Sequence, residues 1–66
     1  MIIKLRGKSL KGKNRIREHG ELWKVERERE DLGFLCHPVN DRLWNEVRWV
    51  KKFNDPHMEI VETVWN

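Results

Sequence analysis

The apolar residues of this chain fall into short clusters: Ile2-Ile3, Leu22-Trp23, Phe34-Leu35-Cys36, Trp49-Val50 and Ile60-Val61. Gly, Pro or an Asn-Asp pair stands between each cluster and the next. Runs this short suit strands, because a packed helix needs an apolar stripe sustained over ~10 residues or more. The chain also has no Ala, the best helix former, and four Trp, which sit well on a pleated surface. Five strands are expected, at about 2–6, 21–28, 33–37, 46–51 and 58–63.

These 66 residues make one domain, 1–66. A domain of this size buries only ~60% of the surface its unfolded chain exposes. A long first loop, shorter second and third loops and a brief turn before the last strand match a small five-stranded SH3-like barrel. The expected fold class is all-β. Local pattern leaves an α+β alternative, with helices at 21–32 and 41–53. As a helix, the first would align Leu22, Val25 and Leu32. The second would align Leu43, Val47, Val50 and Phe53, with Asp41 as cap and Pro56 beyond its end. As a strand, residues 22–29 put Trp23, Val25, Arg27 and Arg29 on one face and Leu22, Lys24, Glu26 and Glu28 on the other. Residues 7–14 carry two glycines and read as a polar folded-back loop, anchored by Ile16. Trp23 and Trp49 are expected in the core, and Trp44 and Trp65 at the surface.

The formal charge of +3 is unevenly spread. Residues 1–17 carry seven basic side chains and no acid, while the remainder sums to −4. Such asymmetry points to an anionic partner, nucleic acid first, with self-pairing to the protein's own acids as the plainer alternative. The candidate contacts are Lys4, Lys8, Lys11, Lys13, Arg15 and Arg17, with Trp44 as a stacking face. With no identifiable reading helix, such binding is expected to follow the backbone and to be weak in sequence preference. A protein-interaction reading would instead use Trp44, Trp65 and the acidic stretch that includes Glu28 and Glu30.

Other chemistry finds little footing. Cys36 is the only cysteine, so no internal disulfide forms, and a small core residue is its simplest role. His19, His37 and His57 lack the paired spacing of a zinc site, and Cys36 and His37 would point to opposite faces of a strand. Ser9 is the only serine, with no base placed near it by sequence, and Gly7-Lys8-Ser9 lacks the upstream glycine of a phosphate loop. A domain this small rarely has room for a deep pocket of ~300 Å³ or more. The expectation is a non-enzymatic module without metal or cofactor. No apolar run approaches the ~18 residues of a membrane span, and no signal-peptide core follows Met1.

The stretch Ser9-Leu10-Lys11-Gly12-Lys13-Asn14-Arg15-Ile16-Arg17-Glu18-His19-Gly20-Glu21, followed by Trp23 and Val25, resembles small uncharacterised proteins of tailed bacteriophages, cyanophages among them. So do Arg48-Trp49-Val50, Asn54-Asp55 and Glu59-Ile60. The resemblance covers most of the chain and carries no activity with it. It implies a phage accessory protein made in the cytoplasm of an infected bacterium, and an adaptor engaging a host or virion protein as the form of the protein-binding alternative. Pro38 to Asn45 is shorter than the middle stretch of those proteins.

Overall fold

The computed structural model describes residues 1–65. In chain order the elements are β1 (Ile2–Gly7), α1 (Leu10–His19), β2 (Leu22–Arg29), β3 (Gly33–Pro38), β4 (Arg48–Val50) and β5 (Met58–Trp65). The strands form one sheet in the order β4-β3-β2-β1-β5, and every neighbouring pair is antiparallel. The protein is mostly β, with one short helix. All five expected strands form, with every end within two residues of the one expected.

Neither helix of the α+β alternative forms. Residues 22–29 are strand β2, held between β1 and β3, and residues 41–53 are turns around the short strand β4. The reason is burial. Trp23 on β2 is fully buried beside Ile3, Leu5, Cys36, Val50 and Met58, and extended pairing delivers all of them to one side of the sheet. Removing a large buried aromatic of this kind costs ~3–5 kcal/mol, more than local helix propensity offers. Met1, Ile16, Val25, Phe34 and Ile60 close around this core.

Two expectations about facing are corrected. The β2–β3 register slips between Val25 and Arg27, so Val25 lies opposite Cys36 whereas Arg27 lies opposite Leu35. A bulge of this kind adds one residue to a strand and turns the residues beyond it onto the other face. Arg27 therefore leaves the face of Trp23 and Val25, and Glu26 reaches across to His37. On β4 the inward residue is Val50, while Trp49 is 37% exposed rather than in the core.

The third correction is α1. Residues 10–19 form a helix where a polar loop was expected. Ser9 caps it, its Oγ accepting from the Gly12 N–H at 3.0 Å. At the other end Gly20 takes φ 90° and donates its N–H to the Ile16 carbonyl. That conformation is open to glycine and ends the helix. Gly12, a poor helix former by itself, sits where only a hydrogen fits, against the backbone of His57.

Candidate nucleic-acid interface

The helix is clamped to the sheet at its start. Ser9 Oγ, besides accepting from Gly12, shares a hydrogen bond with His57 Nδ1 at 2.8 Å, and the Lys8 N–H donates to the His57 carbonyl at 2.7 Å. The sequence placed no base near Ser9, and the fold does. The oxygen of Ser9 is nevertheless committed to the helix cap, so the pair works as a lock between α1 and the entry to β5. One turn on, Ile16 packs against the core. The body-facing residues are thus Gly12, Ile16 and His19, and the edge of the His19 ring meets Trp23.

The cations flank these residues, Lys11, Lys13 and Arg17 exposed and Arg15 half-buried beside the body. Residues four apart stack along one side of a helix. Lys11 and Arg15 make one row, and Lys13 and Arg17 make another, on the opposite flank of an exposed ridge that begins with Leu10 and Asn14. Lys8 stands just ahead of the cap. Among the described residues no carboxylate lies within 4.0 Å of Lys8, Lys11, Lys13, Arg15 or Arg17. By contrast Lys4 pairs with Glu21, Arg6 with Glu59, Lys24 with Glu26, Arg29 with Asp31, Arg48 with Glu46 and Lys52 with Glu28. The basic segment is therefore divided. Its strand part is answered by the protein's own acids and its helix part is not.

That arrangement costs the helix stability. Like charges at i,i+4 destabilise by ~0.2–0.5 kcal/mol per pair, and cations in a first turn oppose the helix dipole. The first turn holds no acid. A sequence breaks local rules of this kind most often where a site needs it to.

Trp44 sits in the turn that meets the end of α1, where Glu46 lies 3.1 Å from His19 Nε2, and its ring contact is with the sheet. Its ring stacks on His37, centroids 5.3 Å apart and planes at 23°, in a turn where Trp44 itself takes φ 56°. Beneath it His37 donates from Nδ1 to the Pro38 carbonyl at 2.9 Å and from Nε2 to Glu26 Oε2 at 2.6 Å. The bond from His37 holds the Glu26 carboxyl below its ordinary value, against a smaller opposing effect of burial. Asp41, which accepts from the Glu46 and Asn45 N–H groups, ties down the same turn.

The residues of the protein-interaction reading are split. In the sheet register His37 lies opposite Lys24, Lys24 opposite Ile2, and Ile2 opposite Trp65. One cross-strand row thus runs from the Trp44 stack to Trp65, which is 70% exposed. Glu28 and Glu30 lie elsewhere. Glu28 pairs with Lys52, and Glu30 lines an open depression of about 380 Å³ with Lys51, Lys52 and Phe53. A second depression, about 320 Å³, lies between the end of α1 and the turn at Asp41. Both are open to solvent and neither is a deep, enclosed pocket. Among the described residues no group of three or more His, Cys, Asp or Glu side chains is placed to hold a metal ion, and no helix is long and apolar enough to cross a membrane.

Comparison with protein-family models, curated proteins and solved structures finds no match to this chain.

Proposed function

We propose that this protein is a nucleic-acid-binding module that engages phosphates through α1. The observation that carries the reading is the set of five cations left without acid partners among the described residues, Lys11, Lys13, Arg15 and Arg17 on one clamped helix and Lys8 just ahead of its cap. Phosphate neutralisation would relieve their mutual repulsion and release counterions. In this reading Lys4 contributes less because Glu21 answers it, and Trp44, stacked on His37 by one face and 44% exposed, stays a secondary candidate. The strand order, a meander from β1 to β4 with β5 returning beside β1, supports an SH3-like reading of the sheet, with α1 filling the first loop.

The test is a salt-series titration with single-stranded DNA, duplex DNA and RNA. Saturable binding is expected, with log K falling against log salt by up to ~4.5 for five phosphates on duplex DNA. Failure to bind any of the three at low salt would remove the proposal.

A second reading is favoured by one observation, the row from the Trp44–His37 stack through Lys24 and Ile2 to the exposed Trp65. It is a protein-binding face, of the adaptor kind that the phage-type resemblance implies. Exposed Trp is the residue most concentrated in interface hot spots. A protein partner lost on Trp65→Ala, with nucleic-acid binding absent, would favour this reading over the first.

A further inference from the structure

The two basic rows of α1 are not equivalent to a basic patch. A helix turns by ~100° per residue. With Gly12 and Ile16 against the body, Leu10 and Asn14 point away from it and the rows Lys11/Arg15 and Lys13/Arg17 flank them. The outermost line of the helix is thus one apolar and one amide side chain, with positive charge along both sides. Leu10 is 74% exposed and has no packing role to explain it. Glu18 comes next on the same ridge, 3.6 Å from His19 Nε2, so the anion-seeking part of the ridge is its first two turns.

Resting on the nucleic-acid reading above, we infer that α1 is a major-groove reader of duplex DNA: its two basic rows straddle the groove on the two phosphate backbones, and Leu10 and Asn14 meet base edges between them. A helix is ~10–12 Å across with its side chains, and the major groove of B-form DNA is ~12 Å wide. The groove of duplex RNA is too deep and narrow for side chains to read. Single-strand platforms set aromatic faces among their cations. Here the one ring on α1, His19, is turned inward to Trp23. The chemistry of the ridge then names the preferred bases. Asn pairs in bidentate fashion with adenine N6 and N7, and an apolar side chain meets the thymine methyl. The site therefore prefers A·T pairs. The seat of Gly12 on His57 and the Ser9 cap hold the helix rigidly enough to present this ridge in one orientation.

The test is fluorescence anisotropy with end-labelled probes of about 20 base pairs at fixed salt: alternating A·T DNA, the same duplex with 7-deazaadenine in place of adenine, G·C DNA, A·U duplex RNA, and single-stranded DNA. Alternating A·T DNA is expected to bind tightest, duplex RNA about tenfold or more weaker. Removing adenine N7 is expected to lose about tenfold, the loss of one bidentate base contact. Asn14→Ala should lose the same factor on A·T DNA, become blind to 7-deazaadenine, and keep the parent's salt slope. Lys11→Ala and Lys13→Ala should each lower the salt slope by ~1 on every sequence. Equal binding of DNA and RNA duplexes, tightest binding to single strands, or no effect of 7-deazaadenine on the parent would overturn the groove inference and leave phosphate binding standing. Absence of binding to all five probes would overturn both. The base-analogue arm leaves the protein unaltered, so the inference is exposed to failure even if a variant folds poorly.

Discussion

A Cβ placed on Gly12 would lie 1.8 Å from the carbonyl oxygen of His57, so α1 is seated backbone against backbone on the segment that enters β5. This contact, more than any side chain, sets how far the helix stands from the sheet. Gly12→Ala raises helix propensity by ~1 kcal/mol but forces the helix off its seat, and overpacking of this kind costs ~1–3 kcal/mol. The variant is expected to unfold at lower urea than the parent and to bind nucleic acid less tightly. A higher urea midpoint would show that the seat is soft.

Asp55 holds the turn that carries His57. It is 8% exposed, and it accepts from the N–H groups of Lys51 at 3.0 Å, His57 at 2.9 Å and Met58 at 3.0 Å. Asp55→Ala strands all three donors, and each unsatisfied buried group costs ~1–3 kcal/mol. A loss of about 3 kcal/mol in chemical denaturation is expected, with Asp55→Asn losing less because one carbonyl oxygen remains. Equal loss in the two variants would count against the hydrogen-bond account.

Three carboxyls titrate below their ordinary values in the folded chain. Glu26 is lowered chiefly by the bond from His37, and Asp41 chiefly by the backbone N–H of Glu46. For Asp55 burial acts in the opposite direction as the largest single influence, but the donors at His57, Lys51 and Met58 together prevail. A depressed carboxyl contributes stability that is fully present above its unfolded value and is lost as pH falls through its folded value. The contribution of these three carboxyls is therefore expected to be fully present above the ordinary values of 4.5 for Glu26 and 3.8 for the two aspartates, and to be lost below them. Glu26→Gln should flatten part of that acid limb in urea midpoints taken from about pH 6 down to about pH 2. An unchanged limb would mean that the His37 contact is not kept in solution.

Reversing Lys11, Lys13 and Arg15 to Glu replaces three cations that have no acid partner among the described residues. No ion pair of the fold is broken and acids in the first turn suit the helix dipole, so stability should hold or rise slightly, whereas nucleic-acid binding should vanish even at low salt. Reversing Lys4 instead sets two acids together, because Glu21 lies 3.6 Å away. That variant should be less stable while retaining most of its binding. Retention of binding by the triple variant would move the site off α1.

Cys36 is fully buried, and burial first, then the charge of Asp55, pushes its thiol up to about 12. Only the thiolate reacts with disulfide reagents. At about pH 8 the folded protein should label at least ~100-fold more slowly than the chain in denaturant. Rapid labelling without denaturant would mean that β3 opens readily.

The sequence by itself determined strands β1, β3 and β5, and left residues 21–32 and 41–53 open between helix and strand until the burial of Trp23 and Val50 decided them. Ile3 and Leu5 alternate with Lys4 and Arg6, the run from Phe34 is stopped by Pro38, and Asn54-Asp55-Pro56 separates the last strand, so period and punctuation were both written locally. It also determined that the amino-terminal segment is basic, and that Cys36 and His37 face opposite sides of their strand; that His37 meets Trp44 and Glu26 there was decided by the fold. Tertiary structure decided the rest. The helix was hidden because its ten residues hold one large interior apolar side chain, Ile16, and a glycine that reads as a breaker. Ser9 as cap, the Gly12/Ile16 spacing and Gly20 as terminator are the signals that could have found it. What makes Gly12 an asset is His57, far along the chain, which no local pattern can announce. The bulge after Val25 and the choice of Val50 over Trp49 for the core likewise depend on neighbouring strands. Most of all, a charge count cannot say which cations are neutralised. The fold brings Glu21 and Glu59 to the cations of β1 and brings no described carboxylate to those of α1, because pairing depends on distances set only when the strands close on one another.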